Sequence, residues 1–366
     1  MEYPKQVTTI QAAAILISTV IGVGVLPLPL FAVRSANTGA PLITLLAVLL
    51  SSAGLWVVTK LGMRFPRQAF TQYSEVILGK WPGRLGSAIV VLFFAILSSL
   101  ASREFGEVVI TSVLKKTPLE VTVILMLLLA TLAARNDMTT FTYINHLYLP
   151  IILGPAFLIV ALSLKNASAD FLLPVWGNEP RDMLNGVLVI AALLQGSFIQ
   201  TIVIPAMRNP QKAMKACFWG MFIVGFLYIT IVIAAVGVFG PEETKQLLWP
   251  TLELAKTTTL PGNILERLDA AFLAIWVTAV FTTIFSSYYL TIHLASKLFG
   301  LHDHRMLSLF VVPFLFAMAM TPQSILQMYQ VIEIVGKFGL LITIVYPLLL
   351  LLVANIRKKR GTQDGG

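Results

Sequence analysis

Two long apolar stretches of this chain are each interrupted near the middle by residues that do not hold a helix. Ile21-Gly22-Val23-Gly24-Val25-Leu26-Pro27 breaks a stretch long enough to cross a bilayer, and Leu194-Gln195-Gly196-Ser197-Phe198 breaks another about 173 residues later. Glycine and proline release backbone N–H and C=O groups from helical bonding. In hydrocarbon an unbonded peptide group costs several kcal/mol, so a broken span has to line an enclosed cavity or hold a ligand. Two such breaks in matching halves point to a transporter-type site near the bilayer midplane.

The composition agrees with membrane insertion. Of 366 residues, 57% are hydrophobic and 12% charged, and the mean hydropathy is +0.85. This is an integral membrane protein rather than a soluble domain. The apolar runs predict ten spans, at roughly 8–33, 40–60, 85–113, 119–135, 139–163, 183–206, 213–239, 267–299, 305–321 and 334–354. The net charge of +9 could suit nucleic acid, but its distribution follows topology instead. With ten spans, the side holding both termini carries 16 Lys/Arg and 5 acidic residues, and the other side 9 and 10. Both termini are therefore expected in the cytoplasm, with the bilayer and not nucleic acid as the partner of the positive charge. Cys217 is the single cysteine, which excludes an intramolecular disulfide or a thiolate metal cluster. The first apolar run, preceded by Lys5, has no cleavage site and is expected to remain as a span.

Five spans precede residue 165 and five follow it. An odd number per half forces the two copies into opposite orientations. The predicted fold class is all-α, with ten transmembrane helices in a LeuT-like 5+5 inverted repeat whose helices 1 and 6 are discontinuous. The repeats are expected at 1–165 and 166–356, followed by a basic cytoplasmic tail, 357–366. Pro41, Pro118 and Pro150 are expected near span ends, where proline costs little. Residues 68–79 read as an amphipathic helix along the cytoplasmic interface. A short surface helix around Glu253 and Lys256 is expected to cap the extracellular face. Arg357, Lys358, Lys359 and Arg360 read as an anchor beside anionic headgroups, and 361–366 as disordered.

Candidate ligand-binding residues follow from the breaks. Unwinding at Gly22, Val23, Gly24 and Val25 would aim the N–H groups of a half-helix at an anion such as a carboxylate. Gln195, Gly196 and Ser197 would offer carbonyls and polar side chains to an ammonium group, with Phe198 as an aromatic lid. In span 8, Thr278, Thr282 and Ser286 fall at four-residue spacing on one face, beside Thr283 and Ser287, and predict a hydroxyl wall. Ser98 and Ser99 of span 3 are weaker candidates for the same wall. Most such hydroxyls bond to their own helix, which is the plain alternative for each. Arg103 and Glu107, four residues apart within span 3, predict a structural ion pair. His146, His293, His302 and His304 lack metal-ligand spacing, and no nucleophile elbow or phosphate loop occurs. Neither an enzyme nor a cofactor is expected.

Three stretches carry a resemblance: Gly22-x-Gly24-x-Leu26-Pro27; Arg103-x-Phe105-x-Glu107 followed by Thr117-Pro118; and Leu265-Glu266-Arg267-Leu268-Asp269 with Trp276. On these the chain resembles, over nearly its whole length, the B subunits of bacterial spore germinant receptors. They form a branch of the amino acid–polyamine–organocation transporter superfamily. Two places depart from that pattern. Arg135-Asn136-Asp137-Met138 replaces an expected Arg-x-Gly-(Ile/Leu)-Glu, and span 6 carries Gln195 and Gln200 but no acidic residue. The resemblance implies a LeuT-like fold that binds a small nutrient germinant, often an amino acid, between helices 1, 3, 6 and 8. It also implies partnership with an A subunit and a lipoprotein C subunit in the spore inner membrane.

The reading these signals favour is a ligand-sensing receptor subunit with a transporter fold. The alternative is a secondary active amino-acid transporter, proton- or sodium-coupled. Spans 1 and 8 offer no carboxylate for sodium, and span 5 no lysine for a proton switch. A passive channel would need a continuous hydrated lining that the sequence does not display.

Overall fold

The computed structural model describes residues 6–177, 180–257, 268–301 and 303–361, the side chains of 180, 181 and 268–270 excepted. Lys5, His302, the Leu265-Glu266-Arg267 part of the third motif and the tail beyond Gly361 lie outside the described residues.

Both predicted breaks are present. α1 (Thr9–Val20) ends where the sequence turns glycine-rich, a 3-10 turn covers Val23–Val25, and α2 (Leu28–Ala36) resumes after Pro27. Thr8 starts α1 with a capping box: its N–H donates to Gln11 Oε1 at 2.9 Å, and Gln11 N–H donates to Thr8 Oγ1 at 3.3 Å. Then follow α3 (Ala40–Arg64), α4 (Phe70–Leu78), α5 (Lys80–Ser112), α6 (Leu119–Ala134) and α7 (Met138–Ser163). Asp137 caps α7 by accepting from Thr140 N–H at 2.9 Å. That bond holds the Asp137 carboxyl below its usual range.

The second half opens with α8 (Pro180–Leu193), a 3-10 turn over Gln195–Ile199, and α9 (Gln200–Ala206), bent by 43° across the break. It continues through α10 (Ala213–Thr244), α11 (Pro250–Thr257), α12 (Leu268–Leu298), α13 (Arg305–Ala319) and α14 (Ile325–Leu340). A π turn over Leu341–Val345 joins α14 to α15 (Tyr346–Ile356). Within α10 the left-handed φ of 73° at Gly240 turns the chain before Pro241, a conformation glycine adopts without a Cβ penalty.

Six helical stretches among the described residues are long and apolar enough to cross a membrane, seven if α8 and α9 form one bent span. α1, α6 and α13 are shorter apolar helices. α12 packs along α5, α1 lies against α7, α10 and α12, and α8 lies against α2, α3 and α14. The two breaks thus meet in the middle of the bundle.

One local expectation is corrected. Pro150 sits inside α7 with Pro155, not at its end. Only 22% of that helix's apolar window is buried, so the rings have room at the bundle edge. α4 is the amphipathic helix expected at 68–79, with Phe70, Thr71, Tyr73, Ser74 and Ile77 buried against the protein and Gln72 and Val76 exposed. Its aromatic face finds Phe198 and Tyr346 at ring-centroid distances of 5.2 and 5.9 Å, which buries more apolar area than headgroups offer. α11 likewise inserts Thr251, Leu252, Leu254 and Ala255 into the protein. Arg357 is exposed and donates to Ile77 O at 3.0 Å. Arg103 and Glu107 form the ion pair, Nη2 to Oε1 2.7 Å, with both side chains buried.

Candidate functional site

The first break strands a run of carbonyls, and side chains from three other elements satisfy them. Thr282 Oγ1 of α12 lies 2.8 Å from Ser18 O, and Thr283 Oγ1 donates to Thr19 O at 2.9 Å. Tyr228 OH of α10 donates to Val20 O at 2.9 Å, and Trp276 Nε1 of α12 to Gly22 O at 3.2 Å. From α11, Thr251 Oγ1 donates to Val25 O at 2.8 Å, and its N–H reaches Leu26 O at 3.5 Å. The amides fare differently. Val25 and Leu26 N–H close the 3-10 turn at 3.4 Å, while those of Gly22, Val23 and Gly24 have no acceptor among the described residues. Most carbonyls of the break thus have a donor, while three of its N–H groups have no acceptor among the described residues.

At the second break the predicted residues separate. Gly196 packs against α1: a Cβ there would meet Thr19 O at 3.1 Å. Gln195 turns away and donates from Nε2 to Gly336 O of α14 at 2.7 Å. Phe198 is no lid. It is 2% exposed and lies between Phe70 and Phe94, with centroids 5.2 and 5.4 Å away. Ser197 and Phe198 face a separate, water-sized void of about 10 Å³ shared with α3 and the π turn.

Between the breaks lies a cavity of about 80 Å³, reached by α1, α5, α8, α12 and α14. Of the predicted residues, Val23, Gly24, Gly196 and Thr283 line it. The others do not, and each has a physical reason. Gly22 is pressed against α12, where a Cβ would overlap Thr283 Oγ1. Val25 faces a small apolar void on the other side of the break. Ser98 and Ser99 donate to Phe94 O and Ala95 O of their own helix, each at 2.9 Å. Thr278 back-bonds to Ile275 O at 2.6 Å. Ser286 Oγ lies 3.4 Å from Asn145 Oδ1 of α7, which also accepts from Ser18 Oγ at 2.8 Å. The hydroxyls that reach the cavity are Thr283 and Ser287, one residue on from the predicted stripe. One residue is a 100° turn on a helix, enough to exchange the packed face for the open one.

One polar group in the cavity, Glu104, was missed, while Ser287 of the expected hydroxyl wall does line it. Glu104 of α5 is 4% exposed and lines the cavity. It accepts one long bond, 3.4 Å, from Tyr329 OH, which itself accepts from Trp249 Nε1 at 2.9 Å. Ser287 is 2% exposed and its Oγ has no hydrogen-bond partner. A signal for Glu104 existed: pairing Arg103 with Glu107 leaves it as an intramembrane carboxyl without an opposite charge on its own helix. Apolar side chains such as Val20, Phe31, Leu97, Leu100 and Ile332 form the remaining walls. The lining thus combines amide donors of the first break, a buried carboxyl and apolar side chains.

Thr282 has one proton to share between Ser18 O and its own Ala279 O, both at 2.8 Å. Thr282→Val keeps the shape and leaves a buried carbonyl without its donor. Such a loss costs about 1–3 kcal/mol and should lower the melting temperature of the solubilised protein by roughly 3 °C or more. Ser286→Ala, which gives up a 3.4 Å contact, should change it less. Equal melting of parent and Thr282→Val would mean that the first break is not held from α12.

Comparison with known proteins places this geometry. The family described as spore germination protein matches residues 6–328. The chain is 26% identical to spore germination protein YndE of Bacillus subtilis (strain 168) over 359 residues, 97% of this chain and 98% of that one. It is also 26% identical to spore germination protein GerLB of Bacillus cereus over 350 residues, 95% and 94% of the two chains. Among solved structures it resembles a substrate-bound, outward-open Na+-coupled sialic acid symporter, with TM-score 0.67 and 12% identity over 93% of this chain and 78% of that one. A closed, bromovinylhydantoin-bound form of Mhp1, a nucleobase-cation-symport-1 family transporter, gives TM-score 0.57 and 14% identity over 92% and 77%. The fold is that of LeuT-like transporters.

Proposed function

The chain belongs to the spore germination protein family, and on that premise we propose that it is the membrane subunit of a germinant receptor that binds a small nutrient in the cavity between its two breaks. The nutrient is an amino acid with a small apolar side chain. Its carboxylate takes the N–H groups of Val23 and Gly24, which line the cavity and have no acceptor among the described residues. Its ammonium group takes Glu104, its hydrogen-bonding capacity is completed by Ser287, and its side chain fills the apolar chamber. The observation that carries this reading is Glu104: a buried carboxyl facing the cavity with one 3.4 Å bond can hold a charge there only when a cation completes it. Gln195, Ser197, Phe198, Thr282 and Ser286 act behind the site, holding the breaks in shape.

The larger architecture belongs to the same proposal. α1 with α2 and α8 with α9 each form one broken span, and α6, at 16 residues, is about 24 Å long. Counted so, ten spans result, in inverted repeats over 1–165 and 166–356 with a basic tail at 357–366. The positive-inside bias then puts both termini on the spore core side of the inner membrane. Ligand shifts the balance between outward-open and occluded states by its difference in affinity for them. An A subunit and a lipoprotein C subunit read the shift and start germination.

Titration of the purified chain with a panel of amino acids, sugars and nucleosides tests this directly. Saturable binding of a small apolar amino acid is the expected result, and binding confined to sugars or nucleosides would overturn it. The likeness to coupled symporters favours one second reading, secondary transport of the same amino acid with proton or sodium. Liposomes containing the chain that accumulate labelled amino acid against its gradient would establish that reading in place of sensing.

A further inference from the structure

We propose that residues 354–361 form a strap that holds the α4 face of the bundle shut. Two arginines do the fastening, each capping the C-terminal end of a helix it does not belong to. Arg64, the last residue of α3, donates from Nε to Lys359 O at 2.6 Å and from Nη2 to Ala354 O at 2.8 Å, and its Nη1 bonds Asn355 Oδ1. In return Gly361 N–H donates to Arg64 O at 3.2 Å. Arg357, from the strap itself, caps α4 at Ile77 O, 3.0 Å away. A guanidinium at a helix C-terminus meets unpaired carbonyls and the negative end of the helix dipole. The strap thus ties α3, α4 and α15 together across one face.

Beneath it runs a column of rings that leads to the second break. Gly361 lies on Phe65, which is fully buried. Phe65 stacks on Tyr73 at 5.5 Å, Tyr73 meets Phe70 at 5.2 Å, Phe70 meets Phe198 at 5.2 Å, and Phe198 stacks on Phe94 at 5.4 Å. These rings fill the space between α4 and the break, so opening this face requires α4 to move away from Phe198. α4 cannot do so while Arg357 and Arg64 hold its neighbours. Bonds made in the closed state alone bias the equilibrium toward it. The strap goes beyond the ligand reading above: it sets the resting state, and it places the lever for releasing that state outside the cavity.

The test uses the full chain in lipid nanodiscs, with Cys217→Ala removing the native thiol and Thr71→Cys as reporter. Thr71 lies on α4, is 2% exposed and has an unbonded hydroxyl, so a thiol replaces it with little disturbance. Maleimide labelling of the parent should be slow. Deleting residues 355–366, or Arg64→Gln, should accelerate it by about tenfold or more, and Arg357→Gln by a smaller factor. A truncated chain that stays monodisperse and labels at the parental rate overturns the proposal. Should the truncation aggregate, Arg357→Gln decides: unchanged labelling in that variant overturns it as well. No ligand enters the measurement, so a failure of the amino-acid reading would leave this outcome intact.

Discussion

Glu104→Gln is expected to weaken amino-acid binding by about 100-fold or more while the purified protein stays monodisperse. The substitution conserves shape, and the amide oxygen can still accept from Tyr329 OH, now 3.4 Å away. What it removes is the charge that completes a buried ammonium group. Losing one partner of a desolvated charge pair typically costs about 2–5 kcal/mol, and 100-fold corresponds to about 2.7 kcal/mol. Glu333 supplies the control. It also lines the cavity, but it is paired with Lys337 at 2.6 Å and its side chain is 40% exposed. Glu333→Gln should change affinity by no more than about threefold, as is usual for exposed pairs. Calorimetric titration with the same amino acid reads both variants. Equal affinity in Glu104→Gln and parent would remove the ammonium from α5.

Gly22→Ala is expected to prevent normal assembly of the bundle. The added methyl group overlaps Thr283 Oγ1, lies 2.7 Å from Thr283 Cβ and 3.2 Å from Ala279 O. Neither the Cβ nor the backbone oxygen can swing aside, so the two helices would have to part. Overpacking of this kind costs about 1–3 kcal/mol where relaxation is possible and more where it is not. The same shift would stretch the bonds from Trp276 to Gly22 O and from Thr283 to Thr19 O. Gly24→Ala is the informative contrast. Its nearest neighbour is Leu193 Cδ2 at 3.1 Å, the end of a flexible side chain, so the fold should tolerate it while the cavity loses volume. Thermal melting in detergent should show a large drop for Gly22→Ala, partly restored by Thr283→Ala, and a small one for Gly24→Ala. Similar melting for the two glycine variants would show that α1 and α12 are not in close contact at the break.

The positions of the breaks were legible because they depend on local chemistry. Two glycines and a proline at 22, 24 and 27, and the Gln195-Gly196-Ser197 run, weaken a helix whatever surrounds it. The buried pair of Arg103 and Glu107 was legible for the same reason, since four-residue spacing decides whether two charges on a helix can meet. The choice between Thr282 and Thr283, or between Ser98 and Glu104, was not. In a soluble helix the polar face announces which side meets water, whereas α5 and α12 are apolar on nearly every side and send no such signal. Hydroxyls add to the ambiguity because each can satisfy itself on its own helix, as Ser98, Ser99 and Thr278 do.

The order of residues was thus sufficient to determine a helical membrane protein, the two places where its helices break, and the family resemblance carried by those places. The tertiary structure alone decided which broken groups stay open. A freed carbonyl and a freed N–H look identical in sequence, and only the approach of α10, α11 and α12 gives donors to the carbonyls of Ser18, Thr19, Val20, Gly22 and Val25 while leaving the amides of Gly22, Val23 and Gly24 without acceptors among the described residues.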